Sequence, residues 1–177
     1  LLGKVFENLL ASYNPETQTT ARKQTGSFYT PRSIVDYMVD ESLKGYLLKP
    51  LTEEAGMAEV DAKVGLELLF SYEEKEMDTC FNPEEVKVVI RAIDRCKILD
   101  PACGSGAFPM GTLQKLVYIL GKLDTDNEQW EAVQIDEARK ITDATERRER
   151  IRAIGQDFLD NDDDYGRKLY LIENCLY

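Results

Sequence analysis

A mostly α-helical chain built around a single strand–loop–helix unit is what this sequence predicts, on three observations. Lys97 to Gly111, KILDPACGSGAFPMG, carries a short buried strand, a glycine-bearing loop and the first turn of a helix. Apolar residues recur at helical spacing along most of the remaining chain. Only Lys97–Leu99 and the last two residues, Leu176–Tyr177, read as strand.

Each part of the central unit has a local reason. Lys97, Ile98 and Leu99 form the strand, and Asp100 stands at its carboxyl end. Pro101 to Gly106 is the loop. The helix starts near Ala107 and continues through Met110, Leu113, Leu116, Val117 and Leu120. Pro109 falls in the first helical turn, where a missing N–H costs nothing. Gly104 and Gly106 allow backbone to approach a ligand closely, and free N–H groups at the helix start suit a carboxylate or phosphate.

Elimination narrows the ligand. A P-loop needs Gly-Lys-Ser/Thr after the loop, but Gly106 is followed by Ala107 and Phe108. The dinucleotide pattern GxGxxG lacks its third glycine, because position 109 is Pro. A carboxylate beside exposed N–H groups suits a zwitterion, the acid taking an ammonium and the N–H groups a carboxylate. S-adenosylmethionine carries such an amino-acid end. The alternative is an ordinary strand-to-helix turn whose glycines serve geometry alone.

Composition bounds the rest. At 177 residues and 43% hydrophobic content, the chain is one domain or part of one, with room for a sizeable core. It has no run of about 18 apolar residues, so no transmembrane helix is expected. Residues 1–10 are apolar on one face only and lack the features of a signal peptide. The missing initiator Met predicts that Leu1 is internal to a longer protein. Cys80, Cys96, Cys103 and Cys175 form no CxxC pair and the chain has no histidine, so no metal site is expected. Reduced thiols and a cytoplasmic location follow as expectations. Without histidine, Ser-His and Cys-His hydrolysis are excluded from this chain. The net charge of −11 argues against the piece gripping DNA by itself. Residues 51–95 hold 12 acids against 5 bases and 121–165 hold 14 against 7, so two acidic blocks flank the glycine motif and read as solvated helix faces.

Taken in order, residues 1–12 carry a helical apolar stripe at 1, 2, 5, 6, 9 and 10, ended by Asn14-Pro15. Glu16 to Lys23 reads as a loop. Thr30-Pro31 reads as an N-cap and a first-turn proline, opening a helix from about Arg32 to Leu48 with Ile34, Val35, Met38, Val39, Leu43 and Leu47 inward. Phe28 and Tyr29 before it staple the helix start or are exposed for another purpose. A further helix covers about Glu59 to Tyr72, with Val60, Val64, Leu68 and Leu69 as its stripe. Asn82-Pro83-Glu84-Glu85 starts another, continuing through Val86, Val89, Ile90 and Ile93. Residues 127–155 read as one long or two shorter, poorly packed helices. Asp160 to Asp164 reads as a solvated acidic turn, since it lacks the glycine and final glutamate of a calcium loop. A last helix covers Gly166 to Cys175.

Two strings together, QTGSFYTPRSIVDYMV and ILDPACGSGAFPMG, resemble motif X and motif I of the gamma-class amino-methyltransferases that act on adenine N6 in DNA. The closest likeness is to bacterial restriction–modification proteins that fuse a methyltransferase to a nuclease and a specificity domain. The tail GRKLYLIENCLY is similar to the segment leading into motif II. The resemblance implies a Rossmann-like, doubly wound α/β parent, of which this piece contributes little more than the first strand. It implies three segments: 1–50 with N-terminal helices and motif X, 51–96 as an acidic helical connector, and 97–177 as the truncated start of the catalytic domain.

The resemblance also implies site residues. Phe28, Tyr29, Thr30 and Pro31 would line one side of an S-adenosylmethionine site. Thr30 would offer its hydroxyl or N–H to the cofactor carboxylate. Asp100 would lie close to the cofactor amino group, and Ala102, Gly104, Ser105 and Gly106 would approach through backbone. The family's ribose-binding acid would lie beyond Tyr177. The chain has no Pro-Pro pair, so the Asn/Asp-Pro-Pro-Tyr/Phe motif that holds an extruded base is missing. The implied function is the cofactor-binding part of an adenine-N6 methyltransferase, with no catalytic residue of its own. DNA would be held by parts of the parent outside this chain, and the isolated piece should be silent. The alternatives are a methyltransferase of cytosine N4, RNA or protein, and a non-enzymatic helical interaction module.

Overall fold

The computed structural model describes residues 12–14, 19–20, 30–72, 80–160 and 163–177. Among them are seven helices: α1 Arg32–Glu53, α2 Glu59–Phe70, α3 Pro83–Arg95, α4 Ala107–Leu123, α5 Glu128–Arg139, α6 Ala144–Asp160 and α7 Asp163–Asn174. Two short strands, β1 Tyr13–Asn14 and β2 Thr19–Thr20, pair antiparallel. The loop expected over Glu16–Lys23 therefore holds a strand pairing at Thr19–Thr20. The helix expected over residues 1–12 falls almost wholly outside the described residues.

Helix α4 is the centre of the core. Leu116, Ile119 and Leu120 on it are fully buried and join apolar residues of α1, α2, α3, α5 and α7 in one cluster. Helix α1 supplies Val35, Val39, Leu43, Leu47 and Leu51, a line with a step of four. Leu51 is fully buried, and the helix runs through Pro50 to Glu53 instead of ending near Leu48. Ile34 and Met38, expected inward, are exposed, because the four-residue line alone faces the neighbouring helices. Thr30 is not the cap. Pro31 occupies that position, its carbonyl accepting the N–H groups of Ile34 at 3.0 Å and Val35 at 3.1 Å.

Helix α2 turns three of the four residues of its expected stripe outward. Val60, Val64 and Leu68 are exposed, whereas Ala62, Gly65, Leu66, Leu69 and Phe70 are buried. The helix is apolar on both sides, so periodicity alone does not choose the inner face. Packing chooses it: the ring of Phe81 lies so close to Gly65 that a Cβ there would meet it at 2.7 Å. Helix α3 starts as its residues dictate. The Asn82 side chain accepts from Glu84 and Glu85 N–H, and Glu85 returns a bond to Asn82 N–H at 2.8 Å.

The C-terminal end of α2 is clasped by α4. Lys122 donates to the carbonyls of Leu68, Leu69 and Ser71 at 3.1, 3.3 and 3.0 Å. Tyr118 donates to Ser71 O at 2.6 Å and Lys115 to Phe70 O at 3.2 Å. These cations stand where a helix leaves its carbonyls unsatisfied and its dipole negative.

Residues 127–155 form two helices with a break near Ile141; α5 packs well, whereas α6 is poorly packed as expected, with Ile154 its one buried side chain among those described. Trp130, Val133, Ala138 and Ile154 are buried. The Asp124 carboxylate receives Gln129 and Trp130 N–H at the start of α5, and the Asp143 carboxylate receives Thr145 and Glu146 N–H at the start of α6. Those two N–H bonds hold the Asp143 carboxyl below the usual range. The expected acidic turn is divided between the end of α6 and the start of α7, which begins at Asp163 instead of Gly166. Buried Arg167 ties α7 to the α4–α5 turn through Asn127 and the carbonyls of Asp124 and Thr125.

Helix α7 returns the chain beside the first strand. Ile98 N–H donates to Cys175 O at 2.8 Å, Tyr177 N–H to Ile98 O at 2.8 Å, and Asp100 N–H to Tyr177 O at 2.9 Å. This is a parallel pairing centred on Ile98 and Leu176. Helices α4 to α7 form the connection between its two sides, as a parallel pair requires. Tyr170 of α7 also donates to Asp94 at 2.6 Å, and Gln134 of α5 donates to the same oxygen at 3.2 Å. No described helix is long and apolar enough to cross a membrane.

Candidate functional site

The site is built at the carboxyl end of the Ile98 strand. Asp100 is fixed on both sides. Its N–H pairs with Tyr177 O, and its Oδ1 accepts Ala102 N–H at 3.1 Å. That side-chain turn aims the chain outward and leaves Oδ2 without a donor among the described residues. Pro101 to Ser105 is exposed. Gly104 has φ +52° and Gly106 φ +76°, both in the left-handed region that disfavours a side chain. Gly106 N–H closes the turn on Cys103 O at 2.7 Å.

Gly106 then caps α4. Its carbonyl accepts Met110 N–H at 3.0 Å. Among the described residues, no acceptor faces the N–H groups of Ala107 and Phe108, and Pro109 has none to offer. A carboxylate oxygen, two free amides and a helix dipole thus meet at one turn. This donor set fits an ammonium-and-carboxylate ligand and does not select a phosphate, because no lysine or arginine among the described residues bonds to it.

Thr30 and Pro31 are exposed at the start of α1, and Phe28 and Tyr29 lie outside the described residues. Helices α1 and α4 meet directly. A Cβ on Gly111 would come within 2.8 Å of Val35 Cγ1, so the contact depends on glycine. Arg32 donates to Gln114 at 3.2 Å. Lys115 Nζ reaches the Asp40 carboxylate at 3.0 and 3.1 Å. Pro31 is four residues before Val35 and Gly106 five before Gly111. At about 1.5 Å per residue, each end stands within about 8 Å of the crossing along its own helix. The two separated strings thus meet through their helices.

Sequence reasoning missed the parts that make this meeting. Gly111 lies inside the quoted motif, five residues after Gly106, yet its role is helix packing. Lys115 is the one charged residue in Thr112–Leu120, which was a signal that something must pair it. Asp40 and Gln114 gave no local sign.

No protein-family model matches the chain, and no solved structure matches it. One curated protein, from Methanocaldococcus jannaschii, is 27% identical over 123 residues, which is 67% of this chain. Its name is "Putative type II restriction enzyme and methyltransferase". The chain is related to a restriction–modification protein. The matched stretch is 10% of that protein's length, so this chain spans a small part of it.

Proposed function

We propose that this chain is the cofactor-binding N-terminal part of a site-specific DNA methyltransferase that uses S-adenosylmethionine to methylate adenine N6, within a restriction–modification enzyme. The observation that carries the reading is the Asp100–Phe108 turn. Its single carboxylate, two left-handed glycines and two N–H groups without an acceptor among the described residues follow the parallel Ile98 bridge, and α1, which starts just after Thr30-Pro31, crosses α4 nearby at Gly111. The relative's name, which joins a restriction enzyme and a methyltransferase, supports the same enzyme class. The parent fold in this reading is a doubly wound sheet, with the Ile98–Leu176 pairing as its first two strands.

The residues present fit the cofactor's amino-acid end. Asp100 Oδ2 would hold the ammonium, and the N–H groups of Ala107 and Phe108 would hold the carboxylate. Backbone at Ala102, Gly104, Ser105 and Gly106 would approach without side-chain obstruction. Thr30 and Pro31, with Phe28 and Tyr29, would close the opposite side. When bound, S-adenosylmethionine supplies an electrophilic methyl group on its sulfonium. In this reading the chain orients the donor, and base extrusion and capture would fall to other parts of the parent protein.

The test is transfer of labelled methyl from S-adenosylmethionine to DNA by the full-length protein, followed by digestion and identification of the methylated base. N6-methyladenine is expected, and Asp100→Ala should abolish most incorporation. Label on cytosine N4, or full activity in the variant, would overturn the adenine assignment or the site assignment respectively.

A further inference from the structure

We propose that Lys115 and Asp40 form a positioning pair that sets the gap between the Thr30–Pro31 segment and the Gly104–Gly106 turn, and so governs cofactor affinity. Lys115 is 2% exposed in the middle of α4. Its Nζ lies 3.0 Å from one Asp40 oxygen and 3.1 Å from the other, donates to Phe70 O at 3.2 Å, and sits 3.8 Å from the Tyr72 ring centroid. One ammonium therefore joins α1, the end of α2 and α4.

The pair is poorly explained as a source of stability. Desolvating two charges costs several kcal/mol, and apolar replacements of similar volume are often as stable or more so. What an apolar pair does not supply is direction. An ion pair with a carbonyl and a ring at fixed angles selects one relative placement of its helices. The placement matters here because of where the pair stands. Asp40 is nine residues along from Pro31, and Lys115 nine residues along from Gly106. The Gly111–Val35 contact lies between the pair and the open ends, and serves as the point about which the helices tilt. A small change of angle at the pair is carried to the separation of the two ends.

This inference rests on the cofactor reading above. Its test uses the full-length protein, with S-adenosylmethionine affinity measured by calorimetry and steady-state methylation by labelled transfer. The paired variant Lys115→Met with Asp40→Leu removes the charges and keeps the volume. It should weaken S-adenosylmethionine binding and raise its KM by about tenfold, which corresponds to about 1.4 kcal/mol. The kcat at saturating cofactor and the KM for DNA should stay within about twofold. Asp40→Glu, which retains the carboxylate, should recover most of the affinity. Lys115→Gln, a milder change that keeps donors toward Asp40 and Phe70, is read in the same assays should the paired variant not fold. Unchanged cofactor affinity in a folded variant, with a wild-type protein that binds, overturns the positioning role alone. A wild-type protein that does not bind S-adenosylmethionine overturns the cofactor reading and this role together.

Discussion

The two ends of helix α4 are built on opposite principles. At its start, Gly104 and Gly106 sit in left-handed backbone where a Cβ would meet only ordinary contacts, and among the described residues two N–H groups lack acceptors. From Gly111 onward no such freedom remains. Val35 leaves no room for a Cβ on Gly111, Lys115 is paired, and Lys122 and Tyr118 satisfy the carbonyls of another helix. One sequence thus leaves polar groups open at one end of a helix and pairs most of them two turns later, where Lys115 bonds one Asp40 oxygen and stands 3.0 Å from the other. The unmet groups are therefore not a sign of loose packing, since the same helix is tightly packed where packing is its role.

That contrast is breakable. The largest effect belongs to the packed end: Leu116→Ala, at a fully buried position, should lower the opening free energy of α4 amides by about 2–5 kcal/mol in hydrogen exchange of the full-length protein. Asp100→Ala should do the converse. It should reduce S-adenosylmethionine affinity by about 1.5–3 kcal/mol, as loss of a charged partner does, while leaving α4 exchange within about 0.5 kcal/mol of wild type. Large destabilisation by Asp100→Ala would erase the distinction between the two ends.

The glycines sharpen the comparison further. Gly111→Ala should destabilise by about 1–3 kcal/mol through overpacking against Val35. Gly106→Ala meets only the Met110 side chain at an ordinary 4.0 Å, so its expected cost of about 1–2 kcal/mol comes from backbone strain at positive φ. Trimming Val35 to Ala should rescue the first glycine variant and not the second, as Tm values of the four proteins would reveal.

The smallest effect concerns Asp94, under the strand pairing. Burial, opposed by the Tyr170 hydroxyl, raises its carboxyl above the usual range. A raised acid favours the folded state at pH below its unfolded value, and that contribution is lost as pH rises through the folded value. Asp94→Asn keeps the oxygen that Tyr170 and Gln134 address and removes the charge. It should raise Tm slightly at pH 7 and flatten the acid side of the stability profile.

Legibility in the sequence followed how local each cause was. The Asn82 cap and the proline in the first turn of α4 are set by neighbours within four residues, and each appears as read. The short buried strand read at Lys97–Leu99 is instead a single parallel bridge at Ile98, with Leu99 72% exposed, because the pairing with Leu176 runs through backbone along one edge and leaves the Leu99 side chain uncovered. Helix faces were less legible. Val60, Val64 and Leu68 repeat at the same step as a core stripe, and only the placement of Phe81 against Gly65 turns the other side inward. Ile34 and Met38 failed for the same reason, since their neighbours Val35 and Val39 meet Gly111 instead. The Thr30 cap was displaced by one residue because the Pro31 carbonyl already serves the first helical N–H groups.

By itself the sequence determined where α2, α3 and α4 begin and that an acid and two glycines stand together at one turn. These follow from short-range sterics and hydrogen bonding. Tertiary structure alone decided that α1 crosses α4 at Gly111, that Lys115 finds Asp40 75 residues away, and that Leu176 comes to lie beside Ile98. Those partners are chosen by shape and charge across the core, where separation along the chain has no bearing on distance in space.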